Sequence, residues 1–315
     1  MSGTTKTAGP AATGDARAAL AGGVAKLTAA GVPSAALTAE LLLLHVLGRD
    51  RAWLYAHPEW ALNGERRAEY ANLLDRRAAG APTQYLTGKQ EFWGLEFEVT
   101  SDVLIPRPET EHLVEIALQR LGERQGQPPR IADVGTGSGC LAIALATEFP
   151  VASLVATDIS PAALEIARRN AARHGVAGRV EFLEMDLLSS FVPPVHPSSS
   201  PALLAPGAQF DLIVCNPPYI GLEEAPQLQR EVRDHEPAQA LFAGRQGLDL
   251  YPPLISQAES LLGDGGTLVV ELGYNGAGSV RALLENEAWE DISVAHDLAG
   301  IPRVLSAQRT ARHKV

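Results

Sequence analysis

Apolar positions change their rhythm twice along this chain. From about Asp15 to Ala79, Ala and Leu recur at helical spacing, and Gly31-Val32-Pro33, Gly48-Arg49-Asp50 and Leu62-Asn63-Gly64 punctuate them. Such glycine and proline clusters end helices, so the pattern predicts a small helical bundle. A helix opening at Thr38 is expected to carry Leu41, Leu44 and His45 on one face, and a helix from Glu65 to Ala79 an apolar stripe of Tyr70, Leu73 and Leu74. At Pro82 the rhythm shifts to β-rich runs broken at Gly88-Lys89 and Gly94, which predict a β-hairpin linker. Pro106 and Pro108 then fix an extended turn before a helix expected from about Glu109 to Leu121.

From Arg130 onward, short apolar runs alternate with helical segments. Strands are expected at IADVG (131–135), SLVATD (153–158), RVEFLEMD (179–186), FDLIVCN (210–216) and GGTLVVELG (265–273). Helices are expected at Leu141–Thr147, at 161–175 and around Leu254–Leu262. This alternation demands right-handed crossovers and a mostly parallel sheet covered by helices on both faces, an α/β fold. Residues 192–208, rich in Pro and Ser, read as a mobile surface loop. The chain therefore divides into a flexible tail (1–14), a helical domain (15–82), a hairpin linker (83–104) and an α/β domain (105–315). No internal repeat is evident.

Composition narrows the partners. Apolar residues make up 46% of the 315, enough for a packed core. Lys and Arg number 26 against 37 Asp and Glu, a formal charge of −11. Proteins that grip long nucleic-acid backbones usually carry a basic surface, so the balance favours a protein or small-molecule partner. The two cysteines, Cys140 and Cys215, have no metal-ligand spacing, fit a reduced cytosolic compartment, and read as small apolar filler. The eight histidines are dispersed, and no metal is expected. The N-terminus lacks the apolar segment of a secretory signal. No run approaches the roughly 18 apolar residues of a membrane span.

Candidate chemistry begins at Asp133-Val134-Gly135-Thr136-Gly137-Ser138-Gly139, where the first α/β strand meets its helix. Glycines there permit positive φ and close approach of a ligand to bare backbone. Open α/β sheets bind ligands at the carboxyl ends of their strands, and Asp158 ends the second. A carboxylate there can accept from both ribose hydroxyls, which implies an adenosine-containing ligand. Gly137 to Ala142 also satisfies a loose dinucleotide pattern. Asp133 would repel a pyrophosphate and attract an ammonium, so the loop favours S-adenosylmethionine and leaves a dinucleotide open.

Asn216-Pro217-Pro218-Tyr219 follows the fourth strand. Two prolines stiffen the turn and remove two backbone donors. The Asn216 side-chain oxygen and the Pro217 carbonyl remain as acceptors for both hydrogens of a planar NH2, and Tyr219 can stack on the same plane. An amide nitrogen is a poor nucleophile because its lone pair is delocalised. Hydrogen bonds accepted from its NH2 raise its electron density as positive charge develops. No general base is needed, because the nitrogen becomes strongly acidic once alkylated.

PRPETE (106–111), DVGTGSGCLAIALA (133–146), NPPYI (216–220) and DLAGIPRV (297–304) together resemble the release factor glutamine methyltransferase family, also called the HemK or PrmC family. The likeness spans nearly the whole chain. It implies S-adenosylmethionine-dependent methylation of the glutamine in the GGQ motif of class-1 peptide release factors, with no direct DNA contact and no membrane, in the cytoplasm. It implies a Rossmann-like, seven-stranded class I methyltransferase sheet whose last strand, near Val304–Ala307, runs antiparallel, and an N-terminal domain that docks the protein substrate. Gly135, Thr136, Gly137, Ser138, Gly139, Asp158 and Asn216 are assigned by it to the cofactor, and Asp186-Leu187 to the adenine. Leu187 departs from the aromatic found there in many members. Asn216, Pro217, Pro218 and Tyr219 would hold the glutamine, with Asn216, Pro217 and Tyr219 catalytic.

Other residues read as structural. His235-Glu236 reads as a surface turn rather than an acid–base pair. Glu109 and Glu111 brace the cofactor loop or complement a helix N-terminus. Arg233 and Arg245 read as solvated charge, and Trp53, Trp60 and Trp93 as packing. The rival activities are methylation of a ribosomal-protein glutamine or of an adenine or guanine amino group, since a flipped base also suits the Asn-Pro turn. The rival without chemistry is a cofactor-binding module.

Overall fold

A computed structural model describes residues 14–122, 128–192 and 209–311. The tail expected up to residue 14 and the loop expected at 192–208 lie almost wholly outside them. The chain divides into two units, Met1–Gly88 and Lys89–Val315.

The first unit is helical: α1 (Ala16–Ala29), α2 (Ala35–Leu47), α3 (Arg51–Ala56), α4 (Gly64–Ala78) and α5 (Thr83–Thr87). Asp15, Asp50 and Asn63 cap α1, α3 and α4 by accepting backbone N–H groups at 2.7–2.9 Å. The stripe of Tyr70, Leu73 and Leu74 is buried as its spacing predicts. The face of α2 is not the one expected. Ala39, Leu42, Leu43 and Val46 are buried, while Leu41 is 42% exposed and His45 is exposed. Four consecutive leucines carry no period, so packing against α1 and α4 chose the face. Thr83–Thr87, expected to begin a hairpin, is helical.

The hairpin itself, β1 (Lys89–Phe92) and β2 (Leu95–Glu98), belongs to the second unit. Trp93 and Gly94 both have positive φ, the tight two-residue turn that suits strand twist. Phe92 and Phe97 enter the core of the α/β sheet beside Leu113 and Leu145. Pro108–Thr110 forms a 3-10 turn leading into α6 (Glu111–Gly122). There follow β3 (Arg130–Val134), α7 (Cys140–Glu148), β4 (Ser153–Asp158), α8 (Pro161–Arg173), β5 (Val180–Glu184) and β6 (Phe210–Cys215). The remainder is α9 (Arg230–His235), α10 (Ala238–Leu241), α11 (Tyr251–Leu261), β7 (Leu262–Glu271), α12 (Ala277–Leu284), β8 (Trp289–His296) and β9 (Pro302–Arg309).

The seven strands lie in the order β5-β4-β3-β6-β7-β9-β8. Strands β3 to β7 pair in parallel, and β9 runs antiparallel between β7 and β8. This is the seven-stranded, mostly parallel sheet expected. Strand β8, in the segment WEDISVAH, carried too little alternation to be read beforehand. Each face of the sheet has its own apolar layer, one built with α6 and α7, the other with α11 and α12. Cys215 is buried filler, as expected, and Cys140 packs at the edge of the other layer.

The chain runs outward from β3 through β4 to β5, then returns to β6 on the other side of β3. The carboxyl ends of β3 and β6 therefore part company at a topological switch point, where open sheets form a crevice. Register decides what faces that crevice. Val134 pairs with both Thr157 and Cys215, so Gly135, Asp158 and Asn216 leave the sheet at one level.

Asn170 on α8 ties the hairpin to the glycine loop. Its Oδ1 accepts from the Glu98 N–H at 2.8 Å, and its Nδ2 donates to the carbonyls of Glu98 (3.0 Å) and Ser138 (2.9 Å). The residue is fully buried. Asn170→Ala is therefore expected to cost about 3 kcal/mol, since it strands buried backbone groups as well as removing bonds. Urea unfolding at constant m-value measures this.

Candidate active site

Three glycines of the loop after β3 hold left-handed backbone: Gly135 at φ 72°, Gly137 at 55° and Gly139 at 83°. The N–H groups of Gly135 and Thr136 both donate to the Thr157 carbonyl, at 2.9 and 2.8 Å. The loop thus folds over the end of β4. Asp158 locks it from the other side. One carboxylate oxygen accepts from Gly137 N–H and the other from Ser160 N–H, each at 2.9 Å. Burial raises the Asp158 pKa, and those N–H groups oppose the rise.

Above this loop lies a cavity of about 400 Å³. Gly135, Gly137, Asp158, Asp186, Leu187, Asn216 and Pro218 line it, joined by Met185, Leu104 and Phe242. A Cβ added at Gly135 or Gly137 would meet nothing within 4 Å, so backbone faces open space there. Leu187 sits at φ 50°, a conformation costly for a branched side chain, at the cavity wall.

Three expected contact residues do not line this cavity. Thr136 is buried, with its hydroxyl donating to Asp133 at 2.6 Å. Ser138 is buried, and its carbonyl is taken by Asn170. Gly139 faces α8, where a Cβ would crowd Ile143 and Ala167 at 3.0–3.1 Å. Alternate residues of a tight loop point to opposite sides, which spacing alone does not reveal. Asp133 is wholly buried. Its Oδ2 accepts from Thr136 and from Ala142 N–H (3.0 Å), while Oδ1 has no partner among the described residues. Burial lifts its pKa to about 7.

The Asn-Pro turn borders two cavities. Asn216 lines the large one and also a second of about 120 Å³, with Pro217, Tyr219, Arg107, Val232 and Leu241. The Asn216 Nδ2 donates to the Thr110 hydroxyl at 3.0 Å, which leaves Oδ1 as the uncommitted atom of the carboxamide. Tyr219 is half-buried, and its hydroxyl donates to Glu271 at 3.0 Å. Burial and the neighbouring carboxylate push the phenol far above its ordinary pKa, so it stays protonated. Backbone pins the turn: Ile220 N–H donates to Leu241, Ala243 N–H to Ile220, and Leu222 N–H to Gly244, all at 3.0–3.1 Å.

Several participants were illegible beforehand. Thr110 and Glu271 lie 161 residues apart, and their 2.6 Å bond is created by the fold. Arg107 pairs with Glu236 at 2.5 Å, and Glu236 is buried rather than part of a surface turn. An Arg in an extended proline-flanked turn and a Glu beside Pro237 are its only local signals. Glu111 accepts from the Trp93 N–H at 2.9 Å and so braces the hairpin, not the cofactor loop. Arg233 and Arg245 are exposed and paired with Asp234 and Glu223.

The PrmC N-terminal domain model matches residues 18–88, and the methyltransferase small domain model matches residues 112–231. Release factor glutamine methyltransferase of Koribacter versatilis is 45% identical over 283 residues, 90% of this chain and 94% of that protein. The chain belongs to the release factor glutamine methyltransferase family. A second family member, from Chlorobaculum tepidum, is 44% identical over 86% of this chain and 89% of its own length. The fold also resembles the hMettl16 catalytic domain, solved in complex with MAT2A 3'UTR hairpin 6. That match has a TM-score of 0.53 and 16% identity, covering 78% of this chain and 84% of that one. Among the described residues no helix is long and apolar enough to cross a membrane.

In this family member, Gly247 is the point where the Asn-Pro turn meets the chain before α11. It has φ 76°, and a Cβ there would collide with the Tyr219 carbonyl. Gly247→Ala is expected to destabilise the protein by about 2–3 kcal/mol through strain and collision together. It should also lower turnover, because Tyr219 must move. Thermal unfolding and initial rates measure the two effects.

Proposed function

We propose that this chain transfers a methyl group from S-adenosylmethionine to the side-chain amide nitrogen, N5, of the glutamine in the GGQ motif of peptide chain release factors. One observation carries the reading: Asn216 stands between two cavities with its carboxamide oxygen uncommitted. Family membership supports it across 90% of the chain.

The larger cavity suits S-adenosylmethionine. Open space over Gly135 and Gly137 admits a ligand against backbone. Each Asp158 oxygen has one backbone donor and keeps a lone pair for a ribose hydroxyl. Met185 and Leu187 give apolar contact for an adenine, and Asp186 stands beside them. Asp133, buried beneath the loop with Oδ1 unpartnered and its pKa raised to about 7, adds negative potential in its ionised form, suited to a cation and hostile to a pyrophosphate. S-adenosylmethionine supplies an electrophilic methyl on a positively charged sulfur.

The smaller cavity holds the target amide. Asn216 Oδ1 and the Pro217 carbonyl each accept one N–H of the glutamine NH2. Two acceptors fix the amide plane and aim the nitrogen at the larger cavity. They also raise electron density on the nitrogen, most strongly as it becomes positive. Leu104, Val232 and Leu241 exclude water from the pair. Tyr219, fixed through its hydroxyl, offers its ring to the amide face. The protonated product amide is acidic enough to lose its proton to solvent.

The helical unit docks the protein substrate in this reading. Trp53, stacked on His57 at 4.8 Å and edge-on to Trp60 at 5.3 Å, lies under the Arg49 guanidinium, and Tyr55 is 63% exposed. Aromatic and arginine side chains of this kind are enriched at protein interfaces. The compartment is the cytoplasm.

Mass spectrometry of a co-expressed release factor should find one added methyl on its GGQ glutamine. Methyl found only on a ribosomal protein or on nucleic acid would defeat the assignment. Asn216→Ala should lower kcat on the order of a hundredfold or more with cofactor affinity nearly unchanged. Asp158→Ala should weaken cofactor binding about tenfold or more, measured by calorimetry.

A further inference from the structure

Glu271 ends β7 and Thr110 precedes α6, and both side chains are buried. The Thr110 hydroxyl donates to Glu271 Oε2 at 2.6 Å, and Tyr219 donates to Oε1 at 3.0 Å. Asn216 Nδ2 donates to Thr110 Oγ1 at 3.0 Å. Four groups from three distant segments thus form one hydrogen-bonded network that converges on the Glu271 carboxylate.

We propose that Thr110 and Glu271 are positioning residues, a carboxylate–hydroxyl relay that turns the Asn216 carboxamide oxygen toward the substrate amide. This rests on the glutamine reading above and assigns that site a second layer. A carboxylate has only acceptors, so both hydroxyls must donate to it. Thr110 has a single hydroxyl hydrogen. With that hydrogen committed to Glu271, its oxygen can only accept. Asn216 must then present NH2 to Thr110 and Oδ1 to the cavity. Rotation of the carboxamide by half a turn would set NH2 against the substrate NH2, donor against donor.

The relay depends on the charge of Glu271. Once protonated, Glu271 can donate to Thr110, which can then donate to Asn216 and allow the inverted carboxamide. The groups facing Glu271 are Tyr219, Glu109, Arg303, Tyr251, Cys215 and Cys140. Burial dominates and raises its pKa, the Thr110 and Tyr219 hydroxyls and Arg303 lower it, Glu109 raises it, and the result is about 7. The directed form is the ionised one, so turnover rises as pH increases through about 7 and falls below it.

The test uses the full-length enzyme, a purified release factor and S-adenosylmethionine. Thr110→Val should lower kcat on the order of tenfold to a hundredfold, with cofactor affinity held within about twofold, because only the aim of Asn216 changes. Thr110→Ser keeps the hydroxyl and should restore most of the rate. Glu271→Gln carries both donor and acceptor at every pH. It should show a low rate without the limb near pH 7, close to the wild-type rate at the acid end. Wild-type kcat in Thr110→Val, or an unchanged limb in Glu271→Gln, would overturn the relay. The Asn216 side-chain NH2 signals in an amide NMR spectrum, identified by their loss in Asn216→Ala, give a readout without turnover. They should shift through pH 7 in the wild type and stay fixed in Glu271→Gln; a wild-type signal that does not move refutes the relay. Absence of glutamine methylation by the wild type would instead refute the functional reading, with the relay still judged by those signals.

Discussion

The parallel pairing of β3 with β6 is the constraint on which the site depends. Backbone hydrogen bonds hold neighbouring strands about 4.8 Å apart, and register allows no half steps. Val134 opposite Cys215 brings the glycine loop and the Asn-Pro turn out of the sheet side by side. Val134 opposite Thr157 does the same for Asp158. A slip of one residue would exchange the two faces of β6 and turn the Asn216 side chain away from the crevice. The apolar layers on both faces, sealed by α6 and α7 on one side and α11 and α12 on the other, make such a slip prohibitively costly.

Around that frame the protein places buried carboxylates where most folds avoid them. Asp133 and Glu271 are fully enclosed, and Asp158 is held by backbone donors. Burial pushes the first two toward a pKa of about 7, far from the ordinary carboxylate range. Their energetic cost is tolerable because each accepts two hydrogen bonds, from Thr136 and Ala142 in one case and from Thr110 and Tyr219 in the other. In their ionised forms these groups gather negative potential that, in the proposed reading, favours a cationic ligand. Directed hydrogen bonds order the neutral side chains of Thr110, Tyr219 and Asn216 beside Glu271. In the proposed reading, catalysis at this site comes from aim and electrostatics, without a dedicated acid or base.

Legibility followed the range of the signal. The Asn216–Tyr219 turn and the Gly135–Gly139 loop are local, because proline and glycine restrict or free φ within their own residues. Tyr70, Leu73 and Leu74 were legible for a similar reason: polar neighbours mark a single face. The four leucines from Leu41 to Leu44 were not, because an unbroken apolar run has no phase. Ser138, Thr136 and Gly139 were placed at the loop correctly, yet they point into packing rather than into the cavity. Spacing names a loop but not the side each residue faces.

By itself the sequence determined the strand–helix alternation, the stiff Asn-Pro elbow, the acid ending β4 and the family to which the chain belongs. Each is written in residues close together, where dihedral limits and periodicity act. Only tertiary structure decided that Glu271 stands behind Thr110, that Arg107 meets Glu236, and that Asn216 donates its side-chain NH2 to Thr110. Those outcomes join residues more than a hundred positions apart, and a hydrogen bond between them has direction only after strand register and burial have brought its partners within reach.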